Sequence, residues 1–207
     1  DVHVDFPKLM KSKDKAVKGL TGGIEFLFKK NGVDYAKGWG KFAGDNKIAV
    51  DGIDGTKSEI IAKNIIIATG SEPTQLPAGL LDIDEKFVVT STGALDLDKV
   101  PKRMIVVGGG VIGLEMGSVY NRLGSEVTVI QHTDRICPFL DKEVSSQFEK
   151  ILRKQGMKFK MNTRLEGGTN NKEKGVTVKL GTEKGTEEME ADVVLLSIGR
   201  KPFTGGL

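Results

Sequence analysis

One stretch constrains this chain more than any other. Met104-Ile105-Val106-Val107 is a continuous apolar run, and Gly108-Gly109-Gly110-Val111-Ile112-Gly113 follows it directly. An unbroken apolar run of this kind suits a strand buried on both faces, as in a parallel sheet. The glycine pattern G-x-G-x-x-G after such a strand, opening a helix, is the fingerprint of a dinucleotide-binding βαβ unit. Gly108 makes the tight turn, Gly110 lets a pyrophosphate approach the backbone, and Gly113 lets the helix pack on the strand. The N–H groups that would meet the phosphates, including those of Val111 and Ile112, lie at the positive end of that helix.

The surrounding pattern agrees. A helix is expected over 111–123, stopped by Gly124, then a strand over 126–130 and a second helix over 141–154 ending at Gly156. A short strand follows over 158–161, then antiparallel strands within 163–191, turning at Gly167-Gly168 and in the polar loop 169–175. A last buried strand is expected over 193–198, leaving at Gly199. Upstream, residues 7–30 have a helical apolar period (Leu9, Ala16, Leu20, Ile24, Leu27) opposite a solvated face with Lys8, Lys11, Lys15 and Lys18. Strands are expected over 34–42, 47–50 and 58–62. Residues 64–68 contain the run Ile65-Ile66-Ile67-Ala68, expected as a strand buried on both faces and ending in the turn Thr69-Gly70-Ser71. The fold class is therefore α/β: a Rossmann-like domain with an antiparallel insert, preceded by a helix and short strands. The expected boundaries are 1–75 for the first part, 76–204 for the second (with 76–102 a connector), and 205–207 for the start of a return.

Composition excludes several classes. With 31 Lys+Arg against 28 Asp+Glu, the net charge of +3 gives no electrostatic case for nucleic acid or a membrane surface. No apolar run reaches the roughly 18 residues that span a bilayer. The single cysteine, Cys137, cannot form an intrachain disulfide, and with two histidines no metal site is expected. The sequence opens on Asp1-Val2-His3 without an initiator Met or a signal or transit pattern, so either processing has removed a segment or the chain begins mid-protein.

The fingerprint asks for an acid about 20 residues on, at the end of the second strand, to hold the adenosine ribose. The residue there, 21 positions after Gly110, is Gln131. Its amide can bond a 2′-hydroxyl without charge assistance and would not repel a 2′-phosphate. His132 and Arg135 are the only basic residues nearby, so NAD is favoured over NADP. Glu115, one turn into the helix, either complements the helix dipole or faces the cofactor.

At these residues the chain closely resembles the dihydrolipoamide dehydrogenases, of the flavin-dependent pyridine nucleotide–disulfide oxidoreductases. The matching stretches are AVKGLTGGIEFLF (16–28), KGWGKF (37–42), NIIIATGSEP (64–73), 91–94 with 100–130, and LLSIGRKPFT (195–204). The resemblance implies a parent enzyme that oxidises protein-bound dihydrolipoamide, passing electrons through a redox disulfide and FAD to NAD⁺. It implies NAD contacts at Gly108, Gly110, Val111, Ile112, Gly113, Glu115, Gln131, Leu165 and Gly199, and FAD contacts at Gly40, Thr69, Gly70 and Ser71. It also implies a lipoyl-bearing acyltransferase of a 2-oxo acid dehydrogenase complex as partner, a homodimer, and the mitochondrial matrix.

Three family features are missing from these 207 residues: the N-terminal FAD glycine fingerprint, the Cys-x4-Cys redox pair, and the C-terminal His–Glu pair. Position 131 is typically Glu in the family. No catalytic residue is therefore assigned, and the fragment alone is expected to be inactive. The alternatives are another flavin disulfide reductase or NADH oxidase, and a nucleotide-binding module without chemistry.

Overall fold

The structure is a computed structural model that describes residues 4–207. The first three positions of the expected first domain lie outside the described residues. The chain divides into two compact units, with crossings at 7/8, 72/73 and 201/202. The first has no counterpart among the expected boundaries, and the other two fall three residues before the expected 75/76 and 204/205.

The smaller unit comprises residues 8–72 and 202–207. Its helix, α1 (Phe6–Lys30), begins just before the unit and is exposed almost throughout. Strands β1 (Gly38–Phe42), β2 (Lys47–Gly52) and β3 (Lys57–Ile61) form an antiparallel sheet in that order. Asn46, with φ of 58°, turns the first hairpin, and Gly55, with φ of 82°, the second. The structure corrects one expectation here. Residues 64–68 form no strand, and Ile66 and Ile67 are 89% and 58% exposed. A doubly buried strand needs neighbours on both edges and cover on both faces. The unit's three strands pair among themselves and leave this segment without a ladder among the described residues.

The chain leaves this unit through β4 (Ser71–Pro73). The larger unit comprises 73–201 with the described N-terminal residues up to Pro7, and holds a five-stranded, wholly parallel sheet. Its strands are β5 (Val88–Val89), β6 (Arg103–Val107), β7 (Glu126–Ile130), β8 (Lys158–Lys160) and, after the insert, β12 (Val193–Leu196). The order β5-β12-β6-β7-β8 puts β6, which feeds the glycine loop, in the centre. Met104, Ile105, Val106 and Val107 are all buried, as are the four residues of β12. Between the strands lie α2 (Ser91–Ala94), α3 (Val111–Arg122) and α4 (Lys142–Lys154). Residues 76–102 are more than a connector. Val88 and Val89 are fully buried, and the Asp84 carboxylate accepts the N–H groups of Lys86, Phe87 and Val88, fixing the turn into β5. A two-residue strand carries too little period to be read from sequence.

The insert is an antiparallel sheet of β9 (Arg164–Asn170), β10 (Val176–Thr182) and β11 (Gly185–Ala191), in the order β11-β10-β9. Its inner residues Val176, Val178, Leu180 and Ala191 join Ile105, Val107, Ile130, Val194 and Leu196 in one buried cluster. Gly167-Gly168, expected as a turn, lies within β9 opposite Lys179 and Val178. A Cβ on Gly168 would sit 2.7 Å from Thr177 O, so glycine serves close strand approach there. The hairpin turns within the expected polar loop, at the 3-10 segment Lys172–Lys174. The chain then runs through β13 (Arg200–Pro202) into the smaller unit.

Candidate functional site

The carboxyl end of β6 is tied to both neighbouring strands. Gly108 N–H donates to Ile130 O (2.9 Å), and Ser197 N–H, just past β12, donates to Val107 O (2.8 Å). The Ser197 hydroxyl donates to Val107 O (3.1 Å) and Gly108 O (2.9 Å). Gly108 has φ of 108°, and a Cβ there would lie 2.4 Å from Ser197 O. A Cβ on Gly113 would lie 2.3 Å from Gly108 O and 2.4 Å from Ser197 Oγ. These two glycines are thus demanded by packing. Gly110 differs: a Cβ there meets nothing within 4 Å. Its missing side chain leaves open space rather than fit.

Gly110 is the N-cap of α3 and supplies no side-chain acceptor. The first-turn N–H groups of a helix have no intrahelical partner, and here no cap side chain takes one. They open on a cleft of about 270 Å³ lined by Gly110, Val111, Ile112, Gly199 and Arg200, with Pro73, Ser91, Phe139, Leu196 and Ser197. Among these lining residues Arg200 is the one charged group, and it is cationic. Uncapped amide donors, a helix dipole and one guanidinium make a surface suited to a pyrophosphate. A larger cavity of about 810 Å³ lies beside the amino ends of β5, β6 and β12, lined by Phe87, Lys102 and Val193 among others. Ligands of open parallel sheets bind at the carboxyl ends, so the smaller cleft is the candidate.

The remaining expected NAD residues are placed differently. Gln131 is 4% exposed, and its Oε1 accepts the Gly109 N–H (2.8 Å). Gly109 O in turn accepts the Cys137 N–H (2.9 Å), so the middle glycine is held from both sides. Glu115 is exposed on α3 and does not line the cleft. Leu165 lies in β9 opposite Leu180, against the buried cluster and away from the cleft. Burial pushes the Cys137 thiol above its ordinary pKa, which disfavours a reactive thiolate. Phe139, Ser91, Ser197 and Arg200 were not expected. Only the strand-then-glycine exit at Gly199 could have pointed to Ser197 and Arg200.

In the smaller unit, Phe203 joins the expected FAD segments. Its N–H donates to Gly70 O (3.0 Å), its carbonyl accepts the Thr69 hydroxyl, and its ring lies 6.3 Å from that of Trp39, beside Gly40. Gly40 pairs with Val50 across β1 and β2 and is exposed, as are Thr69, Gly70 and Ser71.

A central parallel strand running through a glycine turn into an uncapped helix, with helices between the strands, defines an α/β protein of the Rossmann-like kind. The chain belongs to the pyridine nucleotide-disulphide oxidoreductase family, which it matches over residues 3–207. It is 51% identical over 210 residues to the dihydrolipoamide dehydrogenase of Chaetomium thermophilum, covering 100% of this chain and 41% of that protein. It is 50% identical to the mitochondrial dihydrolipoyl dehydrogenase of Pisum sativum (100% and 41%) and 49% to dihydrolipoyl dehydrogenase 3 of Pseudomonas putida (99% and 44%). The chain therefore spans roughly two-fifths of the length of these relatives, which include mitochondrial and bacterial proteins. Among solved structures it is similar to LpdA of Mycobacterium tuberculosis, with a TM-score of 0.86 at 27% identity, covering 100% of this chain and 45% of that one. The flavoprotein disulfide reductase RclA of Escherichia coli matches with a TM-score of 0.81 at 27% identity, covering 99% and 45%.

Proposed function

We propose that this chain is the NAD-binding part, with a portion of the FAD-binding part, of a dihydrolipoamide dehydrogenase. On this reading residues 73–201 bind NAD and residues 8–72 with 202–207 belong to the FAD domain. The observation that carries it is the uncapped start of α3, where Gly110 leaves the backbone open beside Arg200. The pyrophosphate would lie against the N–H groups of Val111, Ile112 and Gly113, and the adenosine ribose by Gln131. Glu115, Leu165 and Gly199 complete the proposed NAD set by resemblance. The absence of an acid at 131 favours NAD by less than a glutamate would.

The described residues of the smaller unit do not make a flavin site by themselves. The Thr69 hydroxyl donates to Phe203 O, and Gly40 and Gly70 offer backbone only. In the whole enzyme FAD would relay electrons from a redox dithiol to NAD⁺, with Gly40, Thr69, Gly70 and Ser71 as part of its bed. The exposed Ile66, Ile67, Trp39 and Leu20 support a larger domain around this unit. The protein substrate would be a lipoyl-bearing acyltransferase of a 2-oxo acid dehydrogenase complex, the parent a homodimer and the compartment the mitochondrial matrix. Calorimetric titration with NADH tests the NAD site: saturable one-to-one binding is expected, lost when Gly110 is changed to a bulky residue. No binding by the intact chain would overturn the reading.

A further inference from the structure

Gln131 differs from a glutamate in having two unlike ends, and a sterically similar flip would exchange them. Here hydrogen bonds leave one orientation. Gly109 N–H can only donate, so Oε1 faces it at 2.8 Å. At the other end Nε2 lies 2.6 Å from Thr133 Oγ1. The Thr133 hydroxyl hydrogen is spent on Arg135 O at 2.9 Å, so Thr133 must accept and Nε2 must donate. Three hydrogen bonds thus run in one direction from the glycine loop to the segment after β7. Gly109 is held by a second tie, Cys137 N–H to Gly109 O, and Ser145 Oγ anchors Cys137 O from α4 at 3.2 Å.

We propose that Thr133 is a positioning residue for adenosine-ribose recognition, locking the Gln131 amide with its oxygen toward the glycine loop. This rests on the NAD reading above. Gln131 is 4% exposed; beyond the bonds to Gly109 and Thr133, one lone pair on Oε1 and one hydrogen on Nε2 have no hydrogen-bond partner among the described residues. A ribose diol both donates and accepts, so a fixed amide presents it with one matched pair. A freely turning amide presents a mixture, and fixing it on binding costs affinity. A carboxylate accepts at both ends and has no orientation to lose, so this service belongs to a glutamine at 131. The spacing from Gln131 to Thr133 would not reveal it, because it depends on where the threonine hydrogen goes.

The test is a double-mutant cycle on the intact chain with NADH, read by calorimetry. Thr133→Val should weaken NADH binding about three- to tenfold, the scale of one neutral hydrogen bond, and Thr133→Ser should stay within about twofold of wild type. In a Gln131→Ala background Thr133→Val should change affinity by less than about twofold, since no amide remains to orient. An equal loss in both backgrounds would give Thr133 a merely structural role and overturn the inference, as would no loss in either. A second readout needs no ligand. The Gln131 side-chain amide protons should be protected from exchange in the wild type and in Thr133→Ser, and exchange faster in Thr133→Val. Equal exchange in all three overturns the lock. If the wild type fails to bind NADH while the amide is protected, the NAD reading fails and the ribose role falls with it.

Discussion

Gly113→Ala and Gly110→Ala should separate packing from ligand approach within one loop. At Gly113 the new methyl would lie 2.3 Å from Gly108 O, 2.4 Å from Ser197 Oγ and 3.0 Å from Val106 Cγ1. Reaching ordinary contact requires α3 to withdraw from β6 by about 1 Å, since carbon contacts are most favourable near 3.5–4.0 Å. Two of the three neighbours cannot yield easily. Gly108 O is backbone, and Ser197 Oγ is bonded to Val107 O and Gly108 O. Overpacking of this kind costs about 1–3 kcal/mol, and disturbing the Ser197 bonds adds about 1 kcal/mol. A total of about 2–4 kcal/mol corresponds to a fall in Tm of roughly 5–15 °C for a unit of this size. At Gly110 the methyl meets nothing within 4 Å, and the backbone (φ −84°, ψ −178°) suits any residue. Gly110→Ala should therefore melt within about 2 °C of wild type, as expected for a change that touches no packed group, yet bind NADH at least about tenfold more weakly, because the methyl occupies the pyrophosphate's approach. Thermal melts by circular dichroism and NADH titration read the two effects. A Gly110→Ala protein that melts as early as Gly113→Ala, or binds NADH unchanged, would refute the division of roles.

The remaining predictions concern specificity, acid stability and the flavin. Gln131→Glu should raise the preference for NADH over NADPH by about 1–2 kcal/mol, through a charge-assisted bond and exclusion of the 2′-phosphate; paired titrations of both cofactors check it. Burial pulls the Asp84 pKa upward, but N–H donors from Val88, Lys86 and Phe87 and the Asn170 amide outweigh it and hold the carboxyl below its usual 3.8. A depressed folded pKa gives stability that is complete above 3.8 and lost as pH falls through the lower folded value. Asp84→Asn should therefore flatten the acid limb of a Tm-against-pH profile below about pH 4. The purified 207-residue chain should show neither a stoichiometric flavin absorbance band nor lipoamide-dependent NADH turnover, because its one thiol is Cys137; turnover with a flavin band would contradict the proposed division of cofactor sites.

How much was legible beforehand depended on whether a segment completes its own environment. Strands β6, β7 and β12, helices α3 and α4 and the insert's three strands follow from periodicity, because each finds its neighbours within 73–201. Ile65-Ile66-Ile67 has the composition of a buried strand but no partner strand among the described residues, and composition cannot report that lack. Val88-Val89 is too short for a period, and its turn depends on the Asp84 carboxylate. At the site, the glycines and Gln131 were readable because they obey a spacing. Ser197, Arg200, Phe139 and Thr133 were not, since they reach the loop from other strands and connections through hydrogen bonds or cleft walls.

The central claim is that NAD binds at the start of α3, and a titration of isotope-labelled intact chain with NAD⁺, followed through backbone amide resonances, tests it most directly. The account predicts saturable shifts, largest at Gly110, Val111, Ile112 and Gly113, with Gln131 and Gly199 following. Shifts gathered instead at Phe87, Lys102 and Val193, around the larger cavity at the strands' amino ends, or no saturable shifts at all, would contradict it.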